Sequence, residues 1–101
     1  MTKLQMSIYL NEADGNGELP LHEVLVRKLL HLEISGATVT HGVMGYGRHG
    51  KVHRKRLFGV SDDRPMVITA IDTAERIRAT LPELKLILPG ALITLIEVEV
   101  A

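Results

Sequence analysis

Between Lys3 and Leu10 the side chains alternate. Leu4, Met6, Ile8 and Leu10 fall on one side, and Lys3, Gln5, Ser7 and Tyr9 on the other. A period of two predicts a half-buried strand. Asn11 to Gly17 is rich in Asn, Asp and Gly and predicts a turn. Pro20 suits the first turn of a helix, where its missing N–H costs nothing. Leu21, Val24, Leu25, Leu29 and Leu32 then recur on one helical face, with His22, Glu23, Arg27, Lys28 and His31 on much of the remainder. Val26 and Leu30 widen the apolar stripe and suggest a second contact surface. Ser35 and Gly36 are expected to close this helix, and Ala37 to Val43 to form a second strand. The charges of Val52 to Val60 make that stretch a poor core strand, and Asp62-Asp63-Arg64 marks a turn. After Pro65, Met66 to Ile71 is apolar nearly throughout, which suits a central strand covered on both sides. Asp72 and Glu75 have the spacing of a capping box for a second helix. Ile77, Leu81, Leu84 and Leu88 give that helix its period, with Pro82 expected to kink it near Arg78. Pro89 and Gly90 end it, and Leu92 to Val100 is a last strand.

The order β-α-β-β-α-β predicts an α+β, ferredoxin-like sandwich: a four-stranded antiparallel sheet with both helices on one face. The other sheet face then has no cover. If Leu92, Ile96, Val98 and Val100 point toward the helices, Ile93 and Leu95 point away. Apolar side chains left in water predict that this face packs against other copies of the chain.

The chain's 101 residues suffice for one domain with one core. Hydrophobic residues at 46% and charged residues at 24% are globular proportions, so the chain as a whole is not disordered. The formal net charge of zero conceals a local excess: Arg48, Lys51, Arg54, Lys55 and Arg56 bring five of the twelve cationic residues into nine positions. Cysteine is absent, which excludes disulfides, a thiolate nucleophile and a Cys-ligated zinc. The N-terminal residues lack the apolar core of a signal peptide, and no apolar run approaches the roughly 18 residues of a membrane span. The expectation is a soluble, cytoplasmic protein without membrane insertion.

Candidate chemistry concentrates between Gly36 and Val60. A strand there passes into Gly42, Gly45, Gly47 and Gly50 and then into the cationic cluster. Two hydrophobic segments flank this stretch, so it is expected to be a long flexible loop, about 44–60, on a rigid scaffold. Gly45-Tyr46-Gly47 reads either as a backbone cradle for phosphate or as a plain turn, and Arg48 could give an anion two parallel hydrogen bonds. Lys51, Arg54, Lys55 and Arg56 read either as a solvated tip or as a docking surface for an acidic partner, an anionic membrane surface or nucleic acid. Nucleic-acid binding is disfavoured, because Tyr9, Tyr46 and Phe58 do not make a stacking platform. Metal binding is disfavoured too: His49 and His53 would chelate only on a helix, His22 and His31 are nine apart, and His41 shares a strand face with Val39 and Val43. No nucleophile-base-orienter set is visible, and Asp62-Asp63 reads as a solvated turn, so the chain is not expected to be an enzyme.

Gly36-Ala37-Thr38-Val39 and Gly45-Tyr46-Gly47-Arg48, taken with Leu19-Pro20-Leu21-His22-Glu23 and Leu81-Pro82-Glu83-Leu84, resemble the PII-like superfamily of trimeric signalling proteins. The resemblance is greatest to its bacterial and archaeal branch catalogued as domain of unknown function one-ninety. It covers nearly the whole chain. It implies a homotrimer with effector sites in the clefts between subunits and, as the effector, an adenine nucleotide (ATP, ADP, AMP or a cyclic nucleotide). By matching position, Gly45, Gly47 and Arg48 would line the phosphate end, Tyr46 would belong to the same ligand site, Thr38 would lie nearer the base or ribose, and Gly90 would belong to the turn before the last strand. The chain departs from PII proteins at His49, where they usually carry the glutamine that senses 2-oxoglutarate, so no 2-oxoglutarate response is expected, and in Pro89-Gly90-Ala91, which lacks the lysine they use on phosphate and so counts against triphosphate affinity. The implied function is regulatory: occupancy of the cleft orders or releases the basic loop, and a client such as a transporter or metabolic enzyme senses the difference. The alternative is an interaction module that docks an acidic partner through the same loop without any ligand.

Overall fold

The computed structural model describes residues 2–15, 18–47, 53–54 and 64–101, with backbone alone for 53–54. Among them are β1 (Lys3–Asn11), α1 (Leu21–His31), β2 (Ala37–His41), β3 (Met44–Gly45), β4 (His53–Arg54), β5 (Pro65–Thr73), α2 (Ala74–Ile87) and β6 (Leu92–Val98). The main sheet is antiparallel in the order β2-β5-β1-β6, and β3 pairs with β4 in a separate two-stranded ladder. This is the expected ferredoxin-like architecture. No helix among the described residues is long and apolar enough to cross a membrane.

The alternation of β1 carries the core. Leu4, Met6, Ile8 and Leu10 are buried against Leu25 and Leu29 of α1, Ile77 and Leu84 of α2, and Met66, Ile68 and Ala70 of β5. The Leu81-Pro82-Glu83-Leu84 stretch divides its work: Leu84 is in the core, while Glu83 Oε2 lies 2.6 Å from Lys28 Nζ of α1. The helix itself continues through Pro82 to Ile87.

Several expectations are corrected. The second strand stops at His41: the Gly42 N–H still reaches the Pro65 carbonyl in register at 2.7 Å, but Pro65 has no N–H to return, and Met44–Gly45 pairs in the small ladder. In β5, Met66, Ile68, Ala70 and Asp72 are buried whereas Ile71 is exposed, so this central strand is covered on one side only within a single chain. The phase of β6 is the reverse of that expected. Its register sets Ile93 opposite Ile8 and Leu95 opposite Met6, both on the helix side, and turns Leu92 and Ile96 outward. Leu92 and Ile96 are 60% and 55% exposed, and Tyr9 and Ile71 join them on the same face, which is therefore more apolar than the sequence suggested.

Both helices end differently from expectation. Asp72 does not cap α2. It is the last inward residue of β5 and 4% exposed, while Thr73 is the N-cap and its hydroxyl accepts the Arg76 N–H at 3.2 Å. The α1 terminus closes at Glu33, before Ser35 and Gly36. Glu33 N–H donates to Leu30 O and Ile34 N–H to Leu29 O, with Glu33 at φ 63° and Ile34 buried beside Leu29 in the core. This is a Schellman closure, in which glycine is favoured at the left-handed position. Glu33→Gly should therefore raise stability by about 1 kcal/mol, read as a higher urea midpoint at unchanged m-value; a lower midpoint would show that the Glu33 side chain matters more than its backbone strain.

Candidate functional site

Antiparallel order brings the C-terminal end of β1, the C-terminal end of β2 and the N-terminal ends of β5 and β6 to one edge of the molecule. The connections that leave those ends therefore meet there, although they lie far apart in sequence. They enclose an open groove of about 820 Å³, within the size range of small-molecule sites. One wall is the end of β1 with the turn that follows it, including Asn11, Asp14 and Gly15. A second is the segment 42–47 against Pro65. A third is Ile87 to Leu92, which contains the turn Pro89-Gly90-Ala91.

Glycine is required at particular points of this wall. A Cβ on Gly42 would lie 2.8 Å from Pro65 Cγ, so a side chain there would force the proline to shift, and one on Gly45 would press on the same ring atom at 3.3 Å. Gly90, at φ 73°, takes the left-handed conformation that reverses the chain into β6. A Cβ on Gly47 would meet nothing within 4 Å, so crowding does not demand glycine at that position.

The polarity of the wall is uneven. Apolar atoms come from Leu10, Leu21, Met44, Leu88 and Leu92, and aromatic rings from Tyr9 and Tyr46. Among the described residues lining the groove, Asp14 alone carries a formal charge. Its position is fixed by the main chain: Asp14 Oδ2 accepts the Asn11 N–H at 2.9 Å, Asp14 N–H donates to Asn11 O at 3.0 Å, and Asp14 O accepts the Leu21 N–H at 2.9 Å.

Beside the groove, Glu12 holds both roots of the segment that runs from β2 to β5. Its N–H donates to Arg64 O at 2.8 Å. Its Oε2 lies 3.2 Å from Arg64 Nε and 3.5 Å from His41 Nε2, close enough to pair with the imidazole when that is protonated. His41 thus shares the inward side of β2 with Val39, as the pattern indicated, but turns to a carboxylate.

Of the residues singled out from the sequence, Gly45, Tyr46, Gly47 and Gly90 are brought together on this groove. Thr38 is not on its wall; it sits opposite Thr69 on the uncovered sheet face. Arg48, Lys51, Lys55 and Arg56 lie outside the described residues, as does most of the expected loop at about 44–60, and Arg54 is placed only as a backbone position opposite Met44. His53 is placed only as a backbone position opposite Gly45, and His49 lies outside the described residues. Asn11, Asp14, Met44 and Pro65 were not anticipated as wall residues. Asn11 and Asp14 carried a turn signal, but nothing in their local pattern shows that this turn faces the glycine segment.

A family model for DUF190, described as Uncharacterized ACR, COG1993, matches residues 3–100. A UPF0166 protein of Aquifex aeolicus (strain VF5) is 32% identical over 98 residues, covering 97% of this chain and 92% of that protein. Among solved structures, CPII, a nitrogen regulatory PII-like protein from Thiomonas intermedia K12 bound to ADP, AMP and bicarbonate, superimposes with a TM-score of 0.76 at 19% identity, covering 99% of this chain and 89% of that one. The divalent ion tolerance protein CutA1 of Ehrlichia chaffeensis gives 0.68 at 13%, covering 98% and 83%. At such identities the likeness is one of fold, which proteins of different named roles share. The sequence match is of another kind: spanning nearly every residue, it makes this chain a member of the DUF190 family, built on the PII-like fold.

Proposed function

We propose that the chain is a regulatory protein, not an enzyme, that binds a small anionic effector in the groove and passes its occupancy to a client through the basic segment 44–60. An adenine nucleotide is the preferred effector. The observation that carries this is the convergence of Gly45-Tyr46-Gly47 with the turn at Gly90 on one groove, in a fold like that of a protein captured with ADP and AMP. Backbone N–H groups at the glycine segment and the Arg48 guanidinium would meet phosphate, and the apolar wall would meet the base. Lys51, Arg54, Lys55 and Arg56 would form the surface offered to an acidic client, for which a transporter or a metabolic enzyme is the expected class. Copies of the chain would assemble as a cytoplasmic homotrimer through the uncovered sheet face, with the grooves at the clefts between subunits.

Occupancy acts on the segment as a population shift: a ligand that prefers one arrangement of its base enriches that arrangement. Titration with ATP, ADP, AMP and cyclic nucleotides, followed by calorimetry and thermal unfolding, tests the first step. At least one should bind in the micromolar range and raise the midpoint, and Arg48→Ala should weaken that binding by about tenfold or more without lowering the ligand-free midpoint. The absence of heat and of any thermal shift with all four would reject the nucleotide assignment.

A further inference from the structure

We infer that Asp14 is the specificity-determining residue of the groove and that it takes the vicinal hydroxyls of a ribose. This rests on the nucleotide assignment above and adds which end of the ligand lies where. An ionised carboxylate is an acceptor only, so what it recognises must bring donors. It also repels phosphate, and more strongly beside apolar walls than in water. The phosphate end therefore lies away from Asp14, toward Gly45 and Gly47, and a bare polyphosphate gains nothing from the carboxylate or from the apolar wall.

Asp14 is held ready for this role. Its Oδ2 takes the Asn11 N–H at 2.9 Å, and its own N–H and C=O are tied to Asn11 and Leu21, so the carboxylate is oriented before any ligand arrives. A diol offers two O–H donors on adjacent carbons to such a group, and the base attached to the same sugar can lie along Leu10, Leu21 and Met44. An acidic side chain meeting a ribose hydroxyl is established chemistry in dinucleotide sites on a different fold.

Calorimetry with ADP, 2′,3′-dideoxy-ADP and inorganic pyrophosphate on wild-type protein and on Asp14→Asn tests the inference. Asparagine keeps an oxygen for the Asn11 N–H, and an unchanged thermal midpoint reports that the turn survives. Wild-type protein should bind ADP about tenfold to a hundredfold more tightly than the dideoxy compound, as expected for hydrogen bonds to a charged group. In Asp14→Asn that preference should shrink to about threefold or less, while pyrophosphate binding stays the same or tightens. Equal wild-type affinity for ADP and its dideoxy analogue overturns the role of Asp14 without any variant, and so does a preference that persists in Asp14→Asn. Either result leaves the groove as a nucleotide site. A wild-type protein that binds none of the three probes overturns this inference, and the groove assignment falls with it only where ATP, AMP and cyclic nucleotides also give no heat.

Discussion

Asp72→Ala should lower the unfolding free energy by about 2–4 kcal/mol, a loss of roughly 10–20 °C in midpoint for a domain of this size. Asp72 is 4% exposed. Its carboxylate accepts the Ser35 N–H at 2.9 Å and the Thr73 N–H at 2.7 Å, which ties the end of β5 to the connection between α1 and β2. Truncation would leave both donors without a partner. Burial by itself would raise the Asp72 carboxyl, but donation from Thr73 and Ser35 and the nearby Arg76 charge outweigh it and hold the group below its ordinary value. The sign of the pH dependence follows. A carboxyl lowered in the folded state stabilises fully above its unfolded value of about 3.9, and that contribution is lost as pH falls through the lower folded value. Wild-type protein should therefore lose more stability between pH 5 and pH 2 than Asp72→Asn does. Thermal midpoints at fixed protein concentration measure the first effect and urea unfolding across pH the second, and a thermal midpoint for Asp72→Ala within about 2 °C of wild type would show that the connection finds other acceptors.

Ile96→Asp should abolish self-association at concentrations of about 10 µM while leaving the monomer folded. Ile96 points away from the helices, opposite Gln5, and is 55% exposed, so its replacement leaves the internal core untouched. In an assembly built on this face, each copy would lose about 1.5–3 kcal/mol of apolar burial and bring a carboxylate to a dry contact. Because the loss recurs in every copy, the association constant should fall by well over a hundredfold. Sedimentation equilibrium of both proteins decides the matter. A wild-type chain that sediments as a monomer at this concentration would return the apolar face to solvent and make the groove a single-chain site.

The strand-helix order, and with it the fold, was legible because β1 and α1 have clean periods: Leu4 to Leu10 alternate without exception, and Leu25 and Leu29 repeat at helical spacing. The phase of β6 was not legible. Leu92, Ile93, Leu95 and Ile96 offer apolar side chains on both parities, and the choice is made by the partner strand, whose Met6 and Ile8 draw Leu95 and Ile93 to the core side. Asp72 looked like a helix cap because it lies three residues before Glu75. The strand instead continues to Thr73, which takes over the capping and leaves Asp72 to the distant Ser35 amide. In the candidate site, the glycine segment was marked by its composition. Asp14 was not, because its importance arises from a wall assembled by elements that only the sheet order brings together.

The grip of Glu12 on Arg64, with Gly42 bound to Pro65, means that the intervening stretch departs and returns through a fastened gate. What is threaded through that gate can be exchanged without asking the sheet to repack, since the closing contacts belong to the scaffold and not to the insert. The chain can thus serve as a chassis: foreign peptides spliced between Gly47 and Arg64 should be displayed on an unchanged body.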